Sequence, residues 1–138
     1  MNYWIFVETY HNWQEDKQNS FRYLGIDLKK FYLRKLKKGD QIFTYIPKIK
    51  KISDQREILS DEVVDIPDGF NYDRIFIKCI STKLVKLLPE ENWIKFDEVI
   101  NELEIFATSK NPGFKLLNAP LKLNSFDENI LSNIFFNR

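Results

Sequence analysis

Apolar positions along the chain fall into short continuous runs near the N-terminus and into helical spacing near the C-terminus. The run Tyr3 to Glu8 is aromatic and β-branched and predicts a first strand. Asn12 is placed to cap a short helix from Trp13, with Glu15 three residues on as in a capping box. Leu28, Phe31, Tyr32 and Leu36 share one face of a second helix over Asp27 to Lys37, with lysines on the other. Lys38-Gly39-Asp40 then turns the chain into a strand from Gln41 to Ile46, stopped by Pro47. Arg56 to Val64 and Arg74 to Ile80 predict two more strands around the turn Asp65-Ile66-Pro67-Asp68-Gly69.

In the last third, Phe96, Val99, Ile100, Leu103 and Phe106 recur at the spacing of an amphipathic helix of about three turns. Asn111-Pro112-Gly113 predicts a turn and Phe114 to Leu117 a strand. Ser125-Phe126-Asp127-Glu128 forms a capping box ahead of Ile130, Leu131, Ile134 and Phe135, which predicts a final helix. Interleaved strands and helices with short connections predict an α+β fold in one domain over residues 1–138. Its sheet should be strongly bent and closed by two or three helices.

Composition narrows the class of function. At 138 residues with 43% hydrophobic and 15% aromatic content, one core is expected to bury roughly two thirds of the unfolded surface. A strand beginning at residue 3 leaves no place for a leader, and no apolar run reaches the roughly 18 residues of a membrane span, so no membrane partner is expected. A single cysteine, Cys79, fits a reducing cytoplasm and excludes an internal disulfide. With a single histidine, neither a metal centre nor a cofactor is expected.

The catalytic constellations are missing. Four glycines supply no phosphate loop, and Cys79 with His11 would be the only thiol–imidazole pair, with the cysteine in an apolar strand row. The sequence therefore points away from an enzyme. A net charge of +1 argues against a protein that grips bulk nucleic acid through many phosphates. The basic residues are nonetheless clustered. Lys29 and Lys30, with Arg34, Lys35, Lys37 and Lys38, lie in one segment, and Lys48, Lys50 and Lys51 follow. These are either solvated faces or contacts to a nucleic-acid backbone.

Aromatic residues exceed what a small core needs. Six tyrosines and three tryptophans include Tyr10, Trp13, Tyr23, Tyr45 and Tyr72, each beside a turn or strand end. Grouped around a pocket, such rings can hold a flat ligand, each stacked base contributing about 1–3 kcal/mol.

The order of motifs resembles a stand-alone EVE domain, in the PUA-like superfamily that also contains the YTH and ASCH domains. The matching pieces are Asn2-Tyr3-Trp4-Ile5-Phe6-Val7 with Asn12-Trp13, Lys38-Gly39-Asp40 leading to Tyr45, and Glu57-Ile58-Leu59-Ser60. Arg74-Ile75-Phe76-Ile77-Lys78 and the segment Phe96 to Phe106 with Asn101-Glu102-Leu103 complete them, covering nearly the whole chain. The resemblance implies a PUA-like, strongly curved β-barrel of five to six strands flanked by helices. It also implies a non-catalytic module that flips a modified base of DNA or RNA into a pocket at the barrel mouth. On this chain the pocket would draw on Trp13, Tyr23, Leu24, Tyr45, Tyr72 and Arg74, with Lys29, Lys30, Lys48, Lys50 and Lys51 along the nucleic-acid backbone.

The chain departs from the family pattern in several places. Where the family carries a tryptophan–glycine pair that walls the pocket, this sequence has Phe21-Arg22-Tyr23-Leu24-Gly25. Counting from Gly39 places Tyr23 at the wall, while matching the glycine places Leu24. Asp54 and Asn118 replace family glycines, and Asn118 is expected to tolerate the same left-handed backbone. Two other readings stand beside base recognition: modification-independent binding of RNA or single strands through the lysines, and a module for a small molecule or a protein without nucleic acid.

Overall fold

The computed structural model describes residues 1–73, 78–107 and 109–138. β1 (Tyr3–Val7), β3 (Gln41–Ile46) and β4 (Lys51–Ile58) form its middle, with β1 parallel to β3 and β3 antiparallel to β4. The crossover from β1 to β3 carries α1 (Tyr10–Gln18), β2 (Tyr23–Ile26) and α2 (Leu28–Arg34). β6 (Lys78–Leu87) pairs with β4 along one half and with β2 along the other, and the two-residue β5 (Val64–Asp65) also adds to it. β7 (Ile94–Lys95) extends β4, and β8 (Leu121–Lys122) flanks β1. The path β2-β6-β4-β3-β1-β8 curls strongly, giving an α+β half-barrel. α3 (Phe96–Val99), α4 (Glu104–Ala107), α5 (Pro112–Leu116) and α6 (Ser125–Phe136) pack outside it.

The strand alternation explains the two faces of the sheet. Trp4 and Phe6 of β1, Leu24 and Ile26 of β2, Ile42, Ile58 and Ile80 fill the barrel interior, closed by Phe31 and Leu36. The intervening Ile5, Phe43, Tyr45 and Ile52 face outward onto Phe96, Phe106, Leu131 and Phe135. The central strands β1, β3 and β4 are thus covered on both sides, and β3 is buried at all six positions.

Several sequence expectations are corrected. Thr9, not Asn12, caps α1, because its hydroxyl accepts the Asn12 N–H at 3.2 Å; Asn12 itself is buried in the helix. β2 had no strand expectation. β4 begins at Lys51 rather than Arg56, and its polar Ser53, Asp54 and Gln55 are all buried; it ends at Ile58 rather than reaching Val64. The expected strand Arg74 to Ile80 lies partly outside the described residues, and its described part continues to Leu87. The single helix expected over Phe96 to Phe106 is split into α3 and α4. Asp127 breaks it by accepting the N–H groups of Glu104 and Ile105 at 2.7 and 3.0 Å, which starts a new helix there. Phe114 to Leu117 is not a strand: Phe114 to Leu116 belong to α5, entered at Pro112, whose missing N–H is harmless in a first turn. Asn124, one residue before Ser125, caps α6.

Two motif residues prove structural. Gly39 has φ +90°, a conformation side chains resist, and its N–H reaches the Ile58 carbonyl at 2.8 Å. Asp40 beside it accepts the Trp4 indole N–H at 3.0 Å and the backbone N–H groups of Asn2 and Lys37. Among the described non-glycine residues, left-handed backbone occurs at Ser20, Phe21, Lys35 and Lys50, not at Asn118.

Candidate functional site at the polar end of the barrel

Past the apolar interior, the same inward-facing rows turn polar. Glu8, Thr44, Asp54 and Arg56 follow Phe6, Ile42 and Ile58 on their strands, and α1 contributes Asp16. The Arg56 guanidinium is fully buried and held by three carboxylates: Nε to Asp54 at 2.7 Å, Nη1 to Asp16 at 2.6 Å and Nη2 to Glu8 at 3.1 Å. It also lies 4.9 Å from the Phe21 ring centre. Asp54 further accepts from the Trp13 indole at 2.9 Å and from the hydroxyls of Ser53 and Thr44. Burial alone would lower the Arg56 pKa, but Asp54, Glu8 and Asp16 together raise it well above the usual range. Burial, and then the neighbouring Asp16, push the Glu8 carboxyl well above its usual value. Glu8 therefore holds its proton more tightly than a free carboxyl.

The segment Phe70 to Asp73 lies across this end and is stitched to α1. His11 Nε2 sits 2.6 Å from the Asn71 carbonyl, which places a proton on that nitrogen. The Asn71 N–H donates to Glu15 at 3.1 Å, the Asp73 N–H to Asn12 Oδ1 at 2.9 Å, and the Thr9 hydroxyl to Asp73 at 3.3 Å. The Tyr72 hydroxyl donates to Asp16 and lies 3.1 Å from the Tyr23 carbonyl. Burial, and then Asp16, raise the Tyr72 pKa far beyond the usual phenol value, so the phenol stays neutral.

Three half-buried rings meet here. Tyr23 and Phe70 make an edge contact at 5.6 Å, and Phe70 and Tyr72 a tilted one at 5.4 Å. Beside them the buried Asn12 Nδ2 has no hydrogen-bond partner among the described residues. A buried amide donor left unpaired costs about 1–3 kcal/mol, an energy that an incoming acceptor recovers.

The structure sorts the sequence candidates. Tyr23 and Tyr72 come together at this end. Trp13, Tyr45 and Leu24 are core: Trp13 packs on Trp93 and Phe21, Tyr45 on Phe96, and Leu24 lies inside the barrel. Of the two wall alternatives, only Tyr23 projects out of the barrel core. Arg74 lies outside the described residues. The lysines divide into two groups. Lys29 is exposed on α2, while Lys30 donates to the Leu117 carbonyl at 3.0 Å and so holds the end of α5. Lys48 and Lys50 sit on the exposed β3–β4 hairpin, Lys48 over the Tyr10 ring, and Lys51 is half-buried opposite Lys95. A shallow hollow lined by Thr9, Tyr10, His11, Gln14, Pro47 and Lys48 adjoins the Phe70–Asp73 segment.

Sequence reasoning missed Phe70, Asn12 and the Glu8–Asp16–Asp54–Arg56 cluster. Phe70 carried a signal, an aromatic residue inside a polar turn next to Gly69. The cluster carried none, since its members are separated by up to 48 positions. Among the described residues no group of three or more His, Cys, Asp or Glu side chains is arranged to hold a metal ion, and no helix is long and apolar enough to cross a membrane.

No family model matches the sequence, and no curated protein matches it. Solved structures do match. The Pho92 YTH domain in complex with m6A superposes with TM-score 0.65 at 11% identity, covering 96% of this chain and 85% of that one. The YTH domain of Zygosaccharomyces rouxii MRB1 in complex with N6-methyladenosine RNA gives 0.63 at 9% identity, covering 95% and 86%. Rpa0253 from Rhodopseudomonas palustris gives 0.62 at 15% identity, covering 97% and 92%. The curled barrel with flanking helices is therefore the fold of YTH domains, carried by a sequence with little identity to them.

Proposed function

We propose that the chain is a non-catalytic, EVE-like nucleic-acid-binding module that takes a modified base at the polar end of its barrel. The observation that carries this reading is the meeting of Tyr23, Phe70 and Tyr72 next to Asp73, whose N–H binds a buried Asn12 amide with a donor left unpaired among the described residues. Rings supply stacking faces, and the amide supplies an edge contact for a ring nitrogen or carbonyl. The YTH structures in complex with m6A or N6-methyladenosine RNA support a modified base as the ligand class. Because the three rings touch one another, Phe70 and Tyr72 must part to admit a base. Extrusion from a stack costs a few kcal/mol, which stacking and the Asn12 contact offset. Lys48 and Lys50, beside the Thr9–His11 hollow, are placed for flanking phosphates.

The test is fluorescence anisotropy with matched RNA oligonucleotides with and without N6-methyladenosine, at two salt concentrations. The expected result is a preference for the methylated form that survives higher salt. Tyr23→Ala or Phe70→Ala should then weaken binding by about 1–3 kcal/mol, roughly five- to 150-fold. Equal affinity for both oligonucleotides, unaffected by either substitution, would refute the base-reading site. Binding that falls steeply with salt and ignores methylation would leave the lysines as the only interface.

A further inference from the structure

A second cavity lies away from the polar end, at the seam where the curled sheet fails to close. β2 ends the strand path, and β1 pairs with β8 only at Trp4 and Ile5, so Phe6 and Val7 face Ile26 across a gap with no strand between them. α2 and α5 roof the gap. Lys30 and Arg34 of α2 hold them together by donating to the Leu117 and Asn118 carbonyls at 3.0 and 2.9 Å. Beneath is a cavity of about 260 Å³ walled by Phe6, Ile26, Phe31, Leu36, Leu116 and Ala119. Among the described residues, its charged lining side chains are Asp27 and Lys30.

The cavity is partly open to the surface, so a ligand can reach it. An apolar void of roughly 150 Å³ already accepts benzene, and this one is larger. Drug-sized ligands need roughly 300 Å³ or more, so the occupant is small. Apart from Asp27 and Lys30 the wall side chains are apolar, which favours a ligand with one charged end over a sugar. The charge around the cavity is set by α2, where Lys29, Lys30 and Arg34 outnumber Asp27. Asp27 already caps the helix by accepting the Lys30 N–H at 3.2 Å. Lys30 spends one of its three ammonium donors on Leu117, which leaves donors for an anion. Outside, Leu33, Phe114 and Leu117 are all exposed on the two roofing elements.

We propose that this cavity is a binding site for a small amphiphilic carboxylate, its acyl chain or single aromatic ring between Phe6, Phe31 and Ala119 and its carboxylate on Lys30. The site is independent of the base-reading end and would stand if that reading failed.

Isothermal titration calorimetry of the intact chain with octanoate, benzoate and 1-octanol tests it. The expected result is saturable binding of one carboxylate; which of the two binds distinguishes an acyl from an aryl ligand. Ala119→Leu should fill the cavity, raising the melting temperature while abolishing binding, and Val7→Phe serves as an independent block from the opposite wall. Lys30→Met, which keeps the aliphatic stem, should weaken carboxylate binding about tenfold and leave 1-octanol unchanged. No saturable binding of either carboxylate, or binding that persists in both blocking variants, would overturn the site. Equal loss of octanol and carboxylate in Lys30→Met would overturn the assignment of the carboxylate to Lys30.

Discussion

Glu8→Gln tests the polar end of the barrel most directly. Around Arg56, three carboxylates face one guanidinium, which among the described residues would leave two negative charges uncompensated if all were ionised. Burial and Asp16 raise Glu8 well above the usual 4.5, so the folded protein retains a proton that the unfolded chain releases. The sign follows from linkage. A raised folded-state pKa means that this group's contribution is fully present below about pH 4.5 and is lost as the pH climbs through the folded value. One proton corresponds to about 1.4 kcal/mol per pH unit within that window, or roughly 3–6 °C in melting temperature for a domain of this size. Glutamine copies protonated glutamate: its oxygen accepts from Arg56 Nη2 and its amide donates to Asp16. The variant should therefore lose this slope and gain on the parent as the pH rises above about 5. Urea denaturation of both proteins at several pH values between about 5 and 8 measures the difference, from which titrations common to both cancel. Parallel stability curves, or a parent that gains on the variant as pH rises, would refute a protonated Glu8.

Three further outcomes follow from the same structure. Arg56→Met removes the cation that, among the described residues, pairs with Glu8, Asp16 and Asp54, and should destabilise by about 3–5 kcal/mol, read as a lower urea midpoint. Cys79, buried and pushed up to about 11 by burial and then by Asp65, should resist Ellman's reagent near neutral pH and react only on unfolding. Lys35, left-handed at φ 59° where α2 ends, should stabilise when replaced by glycine. The gain is about 0.5 kcal/mol, because relief of about 1–2 kcal/mol exceeds glycine's extra chain entropy of about 0.5–1, and a thermal melt reads it.

Much of the fold is legible in local pattern. β1, β3 and α6 were expected nearly where they lie, because Tyr3 to Val7 and Gln41 to Ile46 are continuous apolar strands and Ile130 to Phe135 repeats at helical spacing. The misread segments have long-range causes. Lys51 to Gln55 is polar enough to pass for a loop, yet it is a buried strand, since Ser53, Asp54 and Gln55 find partners on β3, α1 and within β4. The helix over Phe96 to Phe106 is interrupted by Asp127, more than twenty residues away in sequence.

For the candidate site, the sequence alone determined a surplus of aromatics, a scattered set of lysines and the absence of catalytic motifs. It placed Tyr23 and Tyr72 among the candidates but could not separate them from Trp13 and Tyr45. A tyrosine or tryptophan beside a turn has the same local signature whether it faces the core or a ligand. Only the tertiary structure decided that. It put the Trp13 indole on Asp54, drew Phe70 to Asp73 over α1 and gathered Glu8, Asp16 and Asp54 around Arg56. The physical reason is that burial and charge pairing are set by groups distant in sequence, whereas periodicity reports only which face of its own element a residue occupies.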